Sequence, residues 1–323
     1  MTIALAVWRK PALLLGFEIW LEKRKFQLVA VRFGWSQLIC VIMPSIWTAR
    51  TIGMKIYIER GWYGMMKIIF IEGVSGVGKS TTTQKLHDKL CDMGFCVDRY
   101  REFDFPNPID FYCTAYLKID EYEGILAEYN ELVDVIKNNT VVADGVRLVR
   151  YYNNKTPLFP EPLLDVLRKS EFCWLPTNLI PLHEYTRVYK SVWERFVQDT
   201  KNQFDYIIFD GSLIHHPIND MTRMYNATHK QIAHHMNTLI KAVGSFDPQI
   251  VYLSSDDITE RLRKAHISRK QSEPTEEQIL FWTKRKQMDM AVMKQLSIPC
   301  NIYDITQENW DEHINLMLDN CIK

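Results

Sequence analysis

The stretch that most limits what this chain can fold into is Lys67-Ile68-Ile69-Phe70-Ile71-Glu72-Gly73-Val74-Ser75-Gly76-Val77-Gly78-Lys79-Ser80-Thr81-Thr82-Thr83. An apolar run suited to a buried strand leads directly into Gly-x-x-x-x-Gly-Lys-Ser, the P-loop pattern, and a helix-like segment follows to Leu90. Glycines let the backbone turn back with its N–H groups pointing inward, a nest for phosphate oxygens, and the helix behind adds its positive end. The nucleotide-binding residues expected from this pattern are Gly73, Val74, Ser75, Gly76, Val77, Gly78, Lys79, Ser80 and Thr81. Lys79 reaches β- and γ-phosphates in such loops, and Ser80 offers its hydroxyl to Mg²⁺. The ligands expected are therefore ATP and Mg²⁺.

The remaining sequence places this loop in an α/β chain. Further apolar runs are Phe95–Tyr100, Thr140–Asp144, Phe204–Asp210, Gln249–Leu253 and Cys300–Ile305. Helical spacing separates them, at about 119–137, 183–200, 230–243, 258–266, 276–296 and 309–320. Alternation of this kind predicts a mainly parallel five-stranded sheet covered on both faces, the three-layer sandwich of P-loop nucleotide-binding proteins. Phe204–Asp210 is four consecutive apolar residues closed by an aspartate, so Asp210 is the expected Mg²⁺-organising acid, with Asp144 as the competitor. About a hundred residues, roughly 105–203, separate two strands of the sheet. That is too long for a simple connection and predicts an enlarged, helical acceptor-binding insertion.

Composition adds little beyond this. The 323 residues are 47% apolar and 24% charged, with zero formal net charge, which gives no reason to expect a nucleic-acid partner. Seven scattered cysteines with no C-x-x-C pair read as reduced thiols of a cytoplasmic protein. Residues 1–64 stand apart: nine Lys/Arg against three acids, five of the nine tryptophans, and no aspartate. Three readings compete for that segment: a membrane-associating or targeting extension, a small accessory domain, or translated sequence outside the natural protein. The last is favoured, because Met65-Met66 directly precedes the first strand. An N-terminal peptide from within 1–60 in the native protein's mass spectrum would sink it. Phe33–Ala49, its longest uncharged stretch, falls short of the ~20 apolar residues of a membrane span.

Within P-loop proteins, the chain lacks the Asn-Lys-x-Asp of GTPases and the Leu-Ser-Gly-Gly-Gln of transporter ATPases, and Asp210-Gly211-Ser212 lacks a second acid. From about residue 66 to 323 it resembles the nucleoside and nucleoside-monophosphate kinase group, including thymidylate kinase. The strand–P-loop–helix unit comes first, charged residues Arg99, Arg101, Glu102 and Asp104 follow the second strand, and Arg261, Arg263 and Arg269 follow the fourth. The resemblance implies a lid at about 258–275 whose Arg263 and Arg269 neutralise the moving phosphoryl group. It also implies a small-molecule acceptor near Glu102, the candidate general base. Gly211 departs from the group, which has an arginine after this acid. His215-His216 and His234-His235 read as surface or acceptor-pocket histidines, not metal ligands. Tyr151-Tyr152 and Trp174 read as packing residues before ring-stacking ones. The partner expected is the acceptor alone, with a homodimer left open and no membrane for the core. A nucleotide-dependent regulatory ATPase and an O-phosphotransferase of another hydroxylated molecule, such as an antibiotic, are the alternatives.

Overall fold

The computed structural model describes residues 26–33, 37–44, 66–102, 107–153, 155–173, 179–307 and 309–322. The chain divides into two units, Met1–Gly64 and Met65–Lys323. In the first, β1 (Phe26–Phe33) and β2 (Gln37–Pro44) pair antiparallel, with Phe26 opposite Pro44 and Phe33 opposite Gln37. The other expectations for residues 1–64 lie outside the described residues.

The second unit opens with β3 (Lys67–Glu72), α1 (Lys79–Asp92) and β4 (Val97–Tyr100). An insertion follows, made of β5 (Thr114–Lys118), α2 (Ile119–Glu128), α3 (Val133–Asn138), β6 (Thr140–Ala143), β7 (Val146–Arg150), the short pair β8 (Tyr152–Asn153) and β9 (Thr156–Pro157), and α4 (Glu161–Arg168). The chain then continues through α5 (Leu182–Thr200), β10 (Tyr206–Asp210), α6 (His215–Tyr225), α7 (His229–Ala242), β11 (Gln249–Ser254), α8 (Ile258–Ser268), α9 (Glu276–Met293), β12 (Cys300–Asp304) and α10 (Trp310–Ile322).

Strands β12-β11-β3-β10-β4, in that spatial order, form one sheet, parallel throughout. Side chains alternate across it with the period of two that a strand imposes. Ile68, Phe70, Ile207, Phe209, Ile250 and Tyr252 enter one core with residues of α5, α6 and α7. Ile69, Ile71, Ile208, Val251 and Leu253 enter a second, with residues of α1, α8 and α10. Both faces are covered, which is why these strands read as unbroken apolar runs and not as alternating ones. Burying each such side chain contributes roughly 1.5–3 kcal/mol, so the central strand is a poor place for change.

The insertion departs from the helical expectation. Its centre is a three-stranded antiparallel sheet, β5-β7-β6, with α2, α3 and α4 packed on a separate core that includes Leu117, Tyr122, Ile136, Val149, Leu163 and Leu167. The single helix expected over 119–137 breaks at Tyr129, whose backbone (φ −110, ψ 54) leaves helical space before a turn of 3₁₀ helix and α3. Thr140–Asp144 does hold a strand, yet β6 lies in this antiparallel sheet and not beside the P-loop strand. Ala143 pairs with Val146, so Asp144-Gly145 is a two-residue hairpin turn, a role this dipeptide favours. Asp144 is therefore corrected from competing Mg²⁺ acid to turn residue: its side chain is 78% exposed and accepts from Arg187 Nη1 at 2.8 Å.

Candidate active site

The loop Gly73–Gly78 joins the end of β3 to the start of α1, so its amides collect at a helix N-terminus, where anions are favoured. Gly78 caps α1 in the left-handed region (φ 90, ψ 22), and a Cβ there would stand 2.6 Å from the Trp310 ring. Glycine is thus required twice over, by backbone and by space. Lys79, 7% exposed, folds into the loop and donates to Gly73 O at 3.1 Å and Val74 O at 3.4 Å. Ser80 and Thr81 stand exposed at the helix start.

Strand β10 lies beside β3, with Asp210 opposite Ile71, and so delivers the Asp210 carboxylate to the loop. Ser80 Oγ donates to Asp210 Oδ2 at 2.5 Å. The other oxygen, Oδ1, is buried and has no hydrogen-bond partner. Burial raises the Asp210 pKa, while Lys79 and the Ser80 hydroxyl oppose that shift. A buried carboxylate oxygen left over beside a hydroxyl, at the mouth of a phosphate-type loop, fits an oxygen-seeking divalent cation such as Mg²⁺.

Behind the loop lies a polar cluster. Glu72, fully buried, accepts from the backbone N–H groups of Leu213 (2.7 Å) and His215 (2.9 Å), satisfying amides at the N-terminus of α6. Burial pushes its carboxyl up to about 7, against the pull of those amides and Lys79. His215 places Nδ1 3.1 Å from Gly73 O, the carbonyl that Lys79 also holds. Burial, then Lys79 and Arg285, keep His215 well below the usual imidazole range, and its ring stacks on Trp282. Asn219 holds the other ring nitrogen at 3.3 Å. Arg285 of α9 in turn bonds Asn219, the His215 carbonyl and Asp289, whose other oxygen accepts from Tyr252.

Beside this cluster opens a cavity of about 40 Å³, lined by Glu102, Ile109, Asp110, Phe111, Tyr112, Cys173, Tyr189, Ser212, His216, Asn219 and Asp220. Glu102 Oε1 lies 3.6 Å from Nε2 of both His215 and His216. Burial pulls the His216 pKa down but is outweighed by Asp110, Glu102, Asp220 and Glu72, so it ends above the ordinary value. Burial also lifts Asp220 to about 6, opposed by His216 and by the Tyr185 hydroxyl.

Of the residues expected at the site, the structure gathers the loop, Lys79, Ser80, Asp210 and Glu102. It does not gather the lid arginines. Arg263 is half exposed and reaches Glu273 at 3.5 Å, and Arg269 is exposed at the C-terminal cap of α8. Arg261 is buried instead, bonding the carbonyls of Ile305 and Thr306, while its own carbonyl packs on Gly76. Tyr151 is buried in the insertion, donating to Glu171; Asp104 and Trp174 lie outside the described residues. Sequence reasoning missed Glu72, Asp110 and Asp220. Glu72 carried a signal, an acid closing an apolar run directly before the loop; the two aspartates carried none.

By sequence the chain matches no known family model and no curated protein. Among solved structures it is similar to a thymidylate kinase from Candida albicans, at 12% identity over 79% of this chain and 91% of that one. The TM-score of 0.38 makes this a distant likeness, too weak to carry an inference about the present chain.

Proposed function

We propose that this protein is an ATP- and Mg²⁺-dependent phosphotransferase that moves the γ-phosphoryl group of ATP to a small-molecule acceptor of the nucleoside or nucleotide class. The observation that carries the reading is the Ser80–Asp210 pair, 2.5 Å apart, with its second carboxylate oxygen buried and unpartnered at the mouth of the loop that encloses Lys79.

With ATP bound, Lys79 turns from the Gly73 and Val74 carbonyls to β- and γ-phosphate oxygens, and the amides of 73–81 hold the rest of the chain of phosphates. Ser80 and Asp210 would hold the Mg²⁺ ion, which would supply neutralisation of phosphate charge. Glu102 sits on the cavity side and takes the proton from the acceptor hydroxyl as it attacks. Arg263 and Arg269, exposed on and after α8, swing in as lid cations and exclude water from the transfer. The work belongs in the cytoplasm, where ATP is supplied; among the described residues no helix is long and apolar enough to cross a membrane.

The test is Lys79→Ala in the full chain, followed by calorimetric titration with Mg·ATP and by ADP release. Affinity and turnover are expected to fall at least ~100-fold, the usual scale for losing a phosphate-binding charge in a desolvated site. Unchanged affinity would sink the assignment.

A further inference from the structure

Two side chains converge on the carbonyl oxygen of Gly73, where β3 enters the loop: Lys79 Nζ at 3.1 Å and His215 Nδ1 at 3.1 Å. Both are buried, as is Gly73 itself, which packs so closely on Leu253 that an added Cβ would stand 2.6 Å from the Leu253 carbonyl oxygen. Backbone packed to that density has little room to turn its carbonyl elsewhere. Of the two donors, Lys79 is the one that phosphates draw away. A carbonyl stranded in a buried site without a donor costs a factor of roughly 5–150 in the equilibrium that strands it.

What His215 can do there depends on which ring nitrogen carries the hydrogen, and its neighbours set that. Arg285 has donors only, and its Nη1 bonds Asn219 Oδ1. The Asn219 amide is thereby turned so that Nδ2, a donor, faces His215 Nε2 at 3.3 Å. Nε2 must then accept, which leaves the hydrogen on Nδ1, at the Gly73 oxygen. Glu102 Oε1, 3.6 Å from Nε2, stands beyond hydrogen-bond reach. Burial, then Lys79, Arg285 and His216, disfavours a second proton on the ring. The arrangement is held from behind. Arg285 Nε donates to Asp289 at 2.7 Å and its Nη2 to the carbonyls of Ile214 and His215, while the imidazole stacks on Trp282 with ring centroids 5.6 Å apart.

Resting on the phosphotransferase reading above, we infer that His215 is a positioning residue for the nucleotide: its Nδ1–H keeps the Gly73 carbonyl satisfied when Lys79 moves to the phosphates. Lys79 then passes from carbonyls to phosphate oxygens without stranding that buried acceptor, and the start of the loop keeps its shape through the exchange. The role needs α9 as well as α6. Without Arg285 nothing would fix the direction of the Asn219 amide, and the hydrogen could shift to Nε2, where it points away from the loop.

The test uses the full chain, with calorimetric titration of Mg·ATP and basal ADP release as readouts, on a complementary pair of variants. His215→Phe keeps a ring for Trp282 but has no donor; His215→Asn loses the ring but keeps an amide N–H near the place of Nδ1. His215→Phe is expected to raise Kd and KM for Mg·ATP about 5- to 100-fold, with kcat changed by less than about threefold. His215→Asn is expected to recover most of that affinity. A ring that only fills space would lower thermal stability with and without nucleotide alike and leave Kd where it was. An unmoved Kd in His215→Phe therefore overturns the inference, as does His215→Asn binding no better than His215→Phe. The hydrogen itself is read without any substitution, by ring-nitrogen NMR of protein labelled with ¹⁵N-histidine, with His215 assigned through its contact with Trp282. A protonated Nδ1 and a bare Nε2 are expected with and without Mg·ATP; the opposite tautomer overturns the inference even where the variants fail to fold. Lys79→Ala, titrated in parallel, separates the two readings. If it abolishes binding while His215→Phe does not weaken it, the nucleotide site stands and the role of His215 falls. If it leaves affinity unchanged, the phosphotransferase reading itself falls.

Discussion

The five parallel strands and the three antiparallel strands of Met65–Lys323 bury polar groups in different places. In the parallel sheet, the interior of β3 and β10 is apolar, and the acids stand only at the C-terminal ends, as Glu72 and Asp210. In the insertion, charge is buried within the structure. Arg150 ends β7 and donates to the Asn107 carbonyl, and Glu171 accepts from the Tyr151 hydroxyl and the Cys173 amide. A buried acid at a strand end can face a ligand, because the chain leaves the sheet there. A buried charge with protein partners on its polar atoms is spent on holding its own neighbourhood. What separates chemistry from architecture at the strand ends is thus the leftover oxygen of Asp210, since both oxygens of Glu72 are taken up by backbone amides.

The comparison is broken or sharpened most strongly at Asp210. Asp210→Asn keeps the shape and one acceptor for Ser80 but removes the carboxylate's negative charge. It is expected to cut turnover by on the order of 10²–10³ at saturating ATP while thermal stability changes little. A variant with full turnover would remove the distinction.

Glu72 comes next, and pH is the probe. Its folded pKa is raised from 4.5 to about 7, so the native state holds a proton that the unfolded chain releases first. The stabilisation from this group is complete below about 4.5 and lost as pH rises through about 7. The loss is roughly 3–4 kcal/mol at 1.36 kcal/mol for each pH unit between those two values. Denaturant unfolding at pH 5 and pH 8 is expected to show a smaller difference in Glu72→Gln than in the unsubstituted protein; an equal difference would place the titration elsewhere.

Tyr151→Phe tests the other half. It strips a buried carboxyl of one hydrogen bond and is expected to lower the unfolding free energy by about 1–3 kcal/mol, with Mg·ATP affinity unchanged by calorimetry. Smallest of all, Asp144→Asn removes an exposed pairing with Arg187. Stability is expected to move by less than ~1 kcal/mol and turnover not at all. Loss of turnover there would reinstate Asp144 against Asp210.

The same contrast explains what could be read from the sequence. Strands covered on both faces must be apolar at every position, so β3, β10 and β11 stand out, and the glycine pattern after β3 has one physical meaning. Helices α5, α7 and α9 begin within a residue of where periodicity put them. The strands β5 and β7 were invisible. Thr114-Ala115-Tyr116-Leu117-Lys118 and Val146-Arg147-Leu148-Val149-Arg150 mix polar and apolar residues, and their pairing partner is far away in sequence or across a single hairpin. The Asp144-Gly145 turn is the one local clue to this hairpin. At the site, the loop and Asp210 follow from local pattern. Asp110 and Asp220 meet across the cavity only because the insertion and α6 are packed beside β10, and no spacing rule encodes that.

Trp310 against Gly78 has a consequence in time. The loop's motif is among the first parts of this unit to be synthesised, but its ring buttress sits at the start of α10. On the same helix, the Cys321 carbonyl accepts from Lys67 Nζ across 254 positions of chain. At ~5–20 residues per second a ribosome needs roughly 13–50 s to cover that distance. Through that interval the nascent chain carries the Gly73–Gly78 loop without the ring that packs against Gly78. The loop encoded first is thus among the last parts of this unit to be completed.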